Sequence, residues 1–271
     1  MTTIEVPDGR LYYEVRGDGP ALLISGSPMT AAAFGPLAEA LSNDFTVVTH
    51  DPRGISGSAL DDPDAPSEPE LRARDLITLL DHLGADTVDM FGSSGGAVTG
   101  LALVTDYPGR VRTLIAHEPP LLELLPDAER WRVTIDEISQ TFHEHGAGAA
   151  WGRFMQSAGF VQAGDAPPPQ QQHEPTEQEN ADNARFFDHD LRGTTRYLPE
   201  LAGLVGSATR IVVGVGAESG RLNTYQTSLA LATLLAEPPV TFPGDHAGFL
   251  GDPVGFAAVV REVLADDPAV N

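Results

Sequence analysis

Gly92-Ser93-Ser94-Gly95-Gly96 carries the most chemical content in the chain. It follows an apolar run, Thr87 to Phe91, that reads as a strand, and it leads into Gly95 to Tyr107, which reads as a helix. So abrupt a turn strains the backbone, and the residues two positions either side must be small to avoid collision. That spacing singles out Ser94, because Ser93 would have Phe91 two residues back. A hydroxyl raised on such a turn sits at a helix N-terminus, whose dipole favours developing negative charge. The chemistry it suits is nucleophilic attack on a carbonyl. An unassisted serine is a poor nucleophile at neutral pH, so a base must take its proton.

The surrounding elements repeat strand, helix, strand. Arg10 to Val15 alternates and ends at Gly17-Asp18-Gly19-Pro20, an early antiparallel strand with its turn. Ala21 to Ser25 and Phe45 to Thr49 are short apolar runs suited to a parallel sheet. Helical spacing covers Ala31 to Leu41 and Glu68 to Leu83, where Gly84 stops the second helix, and Val111 to Ala116 is a further strand. From Glu118-Pro119-Pro120 to about Leu204 only helical pieces are readable. A Pro/Gln/Glu-rich tract between Gln162 and Asn183 predicts a loop there. Strand and helix alternate again from Arg210 to Val215, with a helix near Thr227 to Leu235, a strand at Val240 to Phe242 and a last helix from about Val254 to Leu264. The expected fold is α/β: a mostly parallel sheet flanked by helices, with residues 119–205 inserted into a core made of 1–118 and 206–271.

Composition narrows the chemistry. The 271 residues hold 39 acidic and 16 basic side chains, a formal charge of −23, which disfavours nucleic acid and anionic membrane surfaces as partners. Every basic residue is arginine, so a P-loop lysine and lysine Schiff-base chemistry are excluded. No cysteine is present, which excludes disulfides, thiol catalysis and Cys-metal sites. The start, Met1-Thr2-Thr3-Ile4-Glu5-Val6, has neither basic nor apolar character, so a cytoplasmic protein is expected.

With these motifs in order, the sequence resembles the α/β-hydrolase superfamily along nearly its whole length. Besides the Ser94 turn, Ser25-Gly26-Ser27-Pro28 stands where the family usually has His-Gly-x-Pro. Asp51-Pro52-Arg53-Gly54-Ile55-Ser56-Gly57-Ser58 matches the family's turn after the fourth strand, with Ser56 and Gly57 slightly out of register. Asp245-His246-Ala247-Gly248-Phe249 stands where the family places its histidine. The resemblance implies a Ser-His-acid triad with Ser94 as nucleophile and His246 as base. His246 lies in a small-residue loop between the last strand and last helix, able to reach across the sheet top. Of the other histidines, His143, His145, His173 and His189 fall in the insertion, His82 in a helix and His50 at a strand end; His117 is the serious competitor.

The acid has two candidates. Most members carry an aspartate after the seventh strand, where this chain offers only Glu218, one position short of the usual spacing. Others, including haloalkane dehalogenases and zearalenone-type lactonases, carry the acid after the sixth strand. Glu118 stands there, 24 residues beyond Ser94, with Pro119 and Pro120 fixing its direction. Glu118 is preferred. The resemblance assigns the oxyanion donors to the backbone N–H groups of Ser27 and Gly95.

The insertion would cover this site. Trp131, Trp151 and Phe154 from it, with Met29 and Phe34 beside the oxyanion loop, are candidate pocket residues. Arg192, Arg196 and Arg210 read as ion-pair partners in an acid-rich chain. The expectation is a serine hydrolase that uses no cofactor or metal and cleaves a small hydrophobic carboxylic ester or lactone through an acyl-enzyme. C–C bond hydrolysis, perhydrolysis and a non-catalytic ligand-binding homologue are the alternatives, and a homodimer stays open. A serine at position 94 argues against dehalogenase and epoxide-hydrolase chemistry, where members carry aspartate.

Overall fold

Short runs of buried apolar residues become the strands of one sheet in the computed structural model, which describes residues 2–161 and 174–265. The strands are β1 (Thr3–Val6), β2 (Gly9–Arg16), β3 (Ala21–Ser25), β4 (Thr46–His50), β5 (Val88–Ser93), β6 (Val111–His117), β7 (Arg210–Gly216) and β8 (Val240–Phe242). Their order across the sheet is β1-β2-β4-β3-β5-β6-β7-β8. The β1/β2 and β2/β4 pairs are antiparallel and every other pair is parallel. The chain leaves β3 toward β4 on one side and returns to β5 on the other, so the loops after β3 and β5 diverge. In open α/β sheets such a switch point forms the crevice where ligands bind.

Both faces of the sheet are covered because its central strands are apolar on both sides. All six residues of β5 are buried. One face packs against α1 (Gly35–Leu41), burying Leu37 and Leu41 with Ile24, Phe91 and Ile115. The other packs against α2 (Pro69–His82) and α3 (Gly95–Asp106), burying Leu76, Leu80, Leu101 and Met90. Burying side chains of this size contributes roughly 1.5–3 kcal/mol each before the cost of ordering the chain.

Helices fill the connection from β6 to β7: α4 (Ala128–His145), α5 (Ala147–Ala158), α6 (Glu177–Arg185), α7 (Leu191–Thr195) and α8 (Leu201–Val205). A π-helical turn, Phe186–Asp190, joins α6 to α7. Ile135, Ile138, Ala150, Phe186 and Phe187 form a separate apolar cluster under this layer. Trp151 stacks flat on Phe186, with ring centroids 4.9 Å apart. Leu204 of α8 instead joins the cluster under α3. Within the polar tract, residues 162–173 lie outside the described residues. Glu177 onward is helical rather than the expected loop. Thr176 caps α6 by accepting from the Glu179 N–H (3.1 Å), while the Glu179 carboxylate accepts from the Thr176 N–H (2.8 Å). The chain closes with α9 (Asn223–Leu235), α10 (Gly248–Gly251) and α11 (Pro253–Ala265), whose Phe256 and Val260 pack beside α1.

Close approach of α3 to β3 depends on Gly96, where a Cβ would lie 2.1 Å from the Ser25 carbonyl oxygen. Neither backbone can retreat without breaking the sheet. Gly96→Ala is therefore expected to destabilise the fold by about 3 kcal/mol, the upper end of overpacking costs. A urea unfolding midpoint within error of the parent's would contradict this packing.

Candidate active site

The Ser94 turn has the strain its sequence implies. Ser94 sits at φ 55°, ψ −123°, between the end of β5 and the first residue of α3. Its N–H is held by the His117 carbonyl at 2.9 Å. Gly92 makes the turn possible, since a Cβ there would meet the Ala97 Cα at 2.7 Å. Non-glycine residues at positive φ persist only where the surroundings over-determine them, and they cluster at functional sites. Glu118, directly after β6, is another, at φ 48°.

Glu118 is fully buried and its carboxylate meets only donors. Its Oε1 accepts from the Gly216 N–H (2.8 Å), and its Oε2 accepts from the Thr224 hydroxyl (3.0 Å) and His246 Nδ1 (2.6 Å). Burial alone would push this carboxyl up, but the hydrogen bond and charge of His246 outweigh it and hold it at about 2. Glu118 therefore stays a carboxylate throughout the neutral range. A carboxylate can only accept, so His246 carries its proton on Nδ1 and leaves the Nε2 lone pair for the cavity. Glu218 is exposed and forms no bond to His246. The pairing of His246 thus falls on Glu118.

His117, the competing base, is fully buried with its ring among Phe91, Phe242 and Phe256. Burial pushes it down to about 3, so it stays neutral, and its Nδ1 lies 3.4 Å from Ser93 Oγ rather than near Ser94. His50 is also structural: its Nδ1–H donates to the Asp51 carbonyl and its Nε2 accepts from Ser25 Oγ, both at 3.0 Å. His143 and His189 lie beside Asp188 and Asp64 in or near the inserted layer, and His82 packs its ring edge on Tyr13. His173 lies outside the described residues.

Ser94 and His246 open onto one cavity of about 220 Å³ between the sheet top and the inserted helices. No hydrogen bond joins Ser94 to His246 among the described residues. Ser27 and Gly95 line the same wall and approach so closely that a Cβ on Gly95 would lie 2.8 Å from the Ser27 carbonyl. Met29, Trp151 and Phe154 line the cavity, together with Met155, Phe160 and Phe186. Phe34 and Trp131 do not. The Phe34 ring turns into the core and stacks on Phe249 at 4.8 Å, and the Trp131 indole N–H bonds Asp127 on the outer side of α4 (3.1 Å). Among the described residues, His246 is the one titratable side chain that lines the space.

A buried polar group beneath this wall had no signal in the sequence. Arg72 on α2 and Asp190 of the π-helical turn are both buried, and Arg72 donates to Ser27 Oγ at 3.1 Å. Arg192 and Arg196 do pair with an acid, both reaching Asp136 at 2.7 Å, whereas Arg210 donates to the Val263 carbonyl. Among the described residues, no group of three His, Cys, Asp or Glu side chains is arranged to hold a metal ion, and no helix is long and apolar enough to cross a membrane.

The likenesses to known proteins run the full length. The curated protein YraK of Bacillus subtilis, described as an uncharacterized hydrolase, is 30% identical over 260 residues, covering 91% of this chain and 89% of YraK. A zearalenone hydrolase of Cladophialophora bantiana is 29% identical over 277 residues, covering 96% and 95%. The crystal structure of a hydrolase from Pseudomonas aeruginosa PA01 superposes with a TM-score of 0.69 at 22% identity, covering 97% of each chain. Residues 21–259 match the model of the alpha/beta hydrolase family, and with the sheet order and the strained serine turn in place, the chain belongs to that family.

Proposed function

We propose that this hydrolase cleaves neutral, apolar carboxylic esters or lactones through a covalent acyl-enzyme on Ser94. The observation that carries the reading is the 2.6 Å Glu118–His246 pair opening onto the same cavity as a serine on a strained strand-to-helix turn. In the first half-reaction His246 Nε2 takes the Ser94 proton as Oγ bonds to the carbonyl carbon. The tetrahedral oxyanion is met by the Ser27 and Gly95 N–H groups, each worth about 3 kcal/mol of barrier in comparable sites. His246 then gives its proton to the departing alkoxide, and the C–O bond breaks. Water, deprotonated by the same nitrogen, releases the acid and restores Ser94. Glu118 holds the imidazole in the tautomer this needs and stabilises the imidazolium between steps.

The lining supports the substrate class. Side chains such as Met29, Trp151, Phe154 and Phe186 offer an apolar surface, and among the described residues no Asp, Glu or Arg lines the cavity to hold an ionised substrate. The relative described as a zearalenone hydrolase supports hydrolytic chemistry on a small molecule. A fluorophosphonate probe tests the chemistry: the protein is expected to be labelled at Ser94, and aryl esters of graded acyl length and small lactones are expected to be hydrolysed. Absence of labelling together with no turnover of either substrate series would leave a binding protein and defeat the reading.

A further inference from the structure

Arg72 directs its two terminal nitrogens at two hydroxyls. Nη1 donates to Ser27 Oγ at 3.1 Å, and Nη2 donates to Thr194 Oγ1, on α7, at 2.8 Å. A guanidinium has no lone pair to offer, so both hydroxyls are acceptors in these contacts and each must direct its own proton elsewhere. Ser27 has a destination in Asp190 Oδ2, 3.5 Å away and buried. Thr194 does not: among the described residues Thr194 Oγ1 donates no hydrogen bond, although the neighbouring Thr195 hydroxyl closes on the Leu191 carbonyl at 2.7 Å. Thr194 lines the cavity beside the oxyanion loop. The other lining hydroxyls outside the nucleophile are engaged, Ser157 with the Phe154 carbonyl and Thr224 with Glu118.

We infer that Thr194 is a specificity residue whose hydroxyl donates to a second, uncharged oxygen on the substrate, a ketone, ether or hydroxyl oxygen apart from the scissile carbonyl. The inference rests on the hydrolase reading and narrows its substrate class. Accepting from the cationic Arg72 guanidinium polarises the Thr194 O–H and makes it a stronger donor than a free threonine. The acceptor is uncharged because, among the described residues, no cation lines the cavity, and the Arg72 charge behind the wall is opposed by the buried Asp190. A site with such a donor discriminates against the analogue lacking the oxygen, since that analogue leaves a polar group unpaired in an apolar wall.

The test compares aryl esters of straight-chain acids with the same acids carrying one ketone in place of a methylene, the ketone walked along the chain. At one position the parent protein is expected to prefer the keto ester in kcat/KM. Thr194→Val is expected to lower that keto-to-methylene ratio about tenfold, and Thr194→Ser to restore it. A ratio unmoved by Thr194→Val, no keto preference at any position, or an equal loss on both esters would overturn the inference. The same ligand pairs, as non-hydrolysable amides, are titrated calorimetrically into the parent and Thr194→Val proteins. If no ester is turned over, the hydrolase reading fails, while the binding ratio still reports on Thr194. Failure of both amides to bind would overturn the Thr194 assignment.

Discussion

Ser94→Ala is expected to lower kcat on an aryl ester by about 10⁴-fold or more, leaving only what binding and the oxyanion donors supply. The reason is geometric. The turn that holds Ser94 at φ 55° places one hydroxyl over the cavity, and the adjacent Ser93 is fully buried with its Oγ near His117 instead. No neighbouring oxygen can stand in. Alanine at φ 55° keeps the same backbone demand as serine, so folding is expected to survive and circular dichroism should match the parent. Retention of turnover within tenfold of the parent would move the nucleophile elsewhere and undo the mechanism.

Glu118→Gln is expected to cost about 10³- to 10⁴-fold in kcat, while Glu218→Gln leaves kcat within twofold of the parent. Both carboxylate oxygens of Glu118 face donors: the Gly216 N–H on one, the Thr224 hydroxyl and His246 Nδ1–H on the other. A glutamine has one accepting oxygen and must turn its NH₂ toward at least one of those donors. Either the loop yields or His246 moves its proton to Nε2, where it can no longer act as base. The same pair sets an acid-stability signature. The carboxyl is depressed from its usual 4.5 to about 2, so its stabilisation is complete above 4.5 and is lost as pH falls toward 2. The stability gap between parent and Glu118→Gln should therefore narrow across that window. Equal kinetic losses in Glu118→Gln and Glu218→Gln would reject the assignment.

Much of this site could be read from the chain because its parts are local. The glycines around Ser94, the prolines after Glu118 and the small-residue loop at His246 each announce a special backbone within a few residues. Glu118 and Glu218 are less separable in the chain, since both follow a strand, and the donors Gly216 and Thr224 that hold Glu118 lie about a hundred residues from it. Arg72 and Asp190 illustrate the same limit: their shared partner Ser27 is brought to them by the sheet and the inserted layer, and nothing near either residue signals the meeting. Phe34 misled because proximity in sequence to the oxyanion loop says nothing about which way a ring turns, and its ring finds Phe249. The start of α6 was legible in principle, as Thr176 and Glu179 have the spacing of a capping box inside a tract whose composition suggested a loop.

The uncharged lining has a consequence for the end of the reaction as well as its beginning. On the proposed reading, hydrolysis of an ester leaves an acid that ionises at neutral pH, and among the described residues no arginine lines this chamber to hold an anion. Outside, the chain carries a formal charge of −23, which repels the departing carboxylate rather than retaining it. If the substrate is an ester, weaker product inhibition by the acid than by the alcohol is the expected outcome.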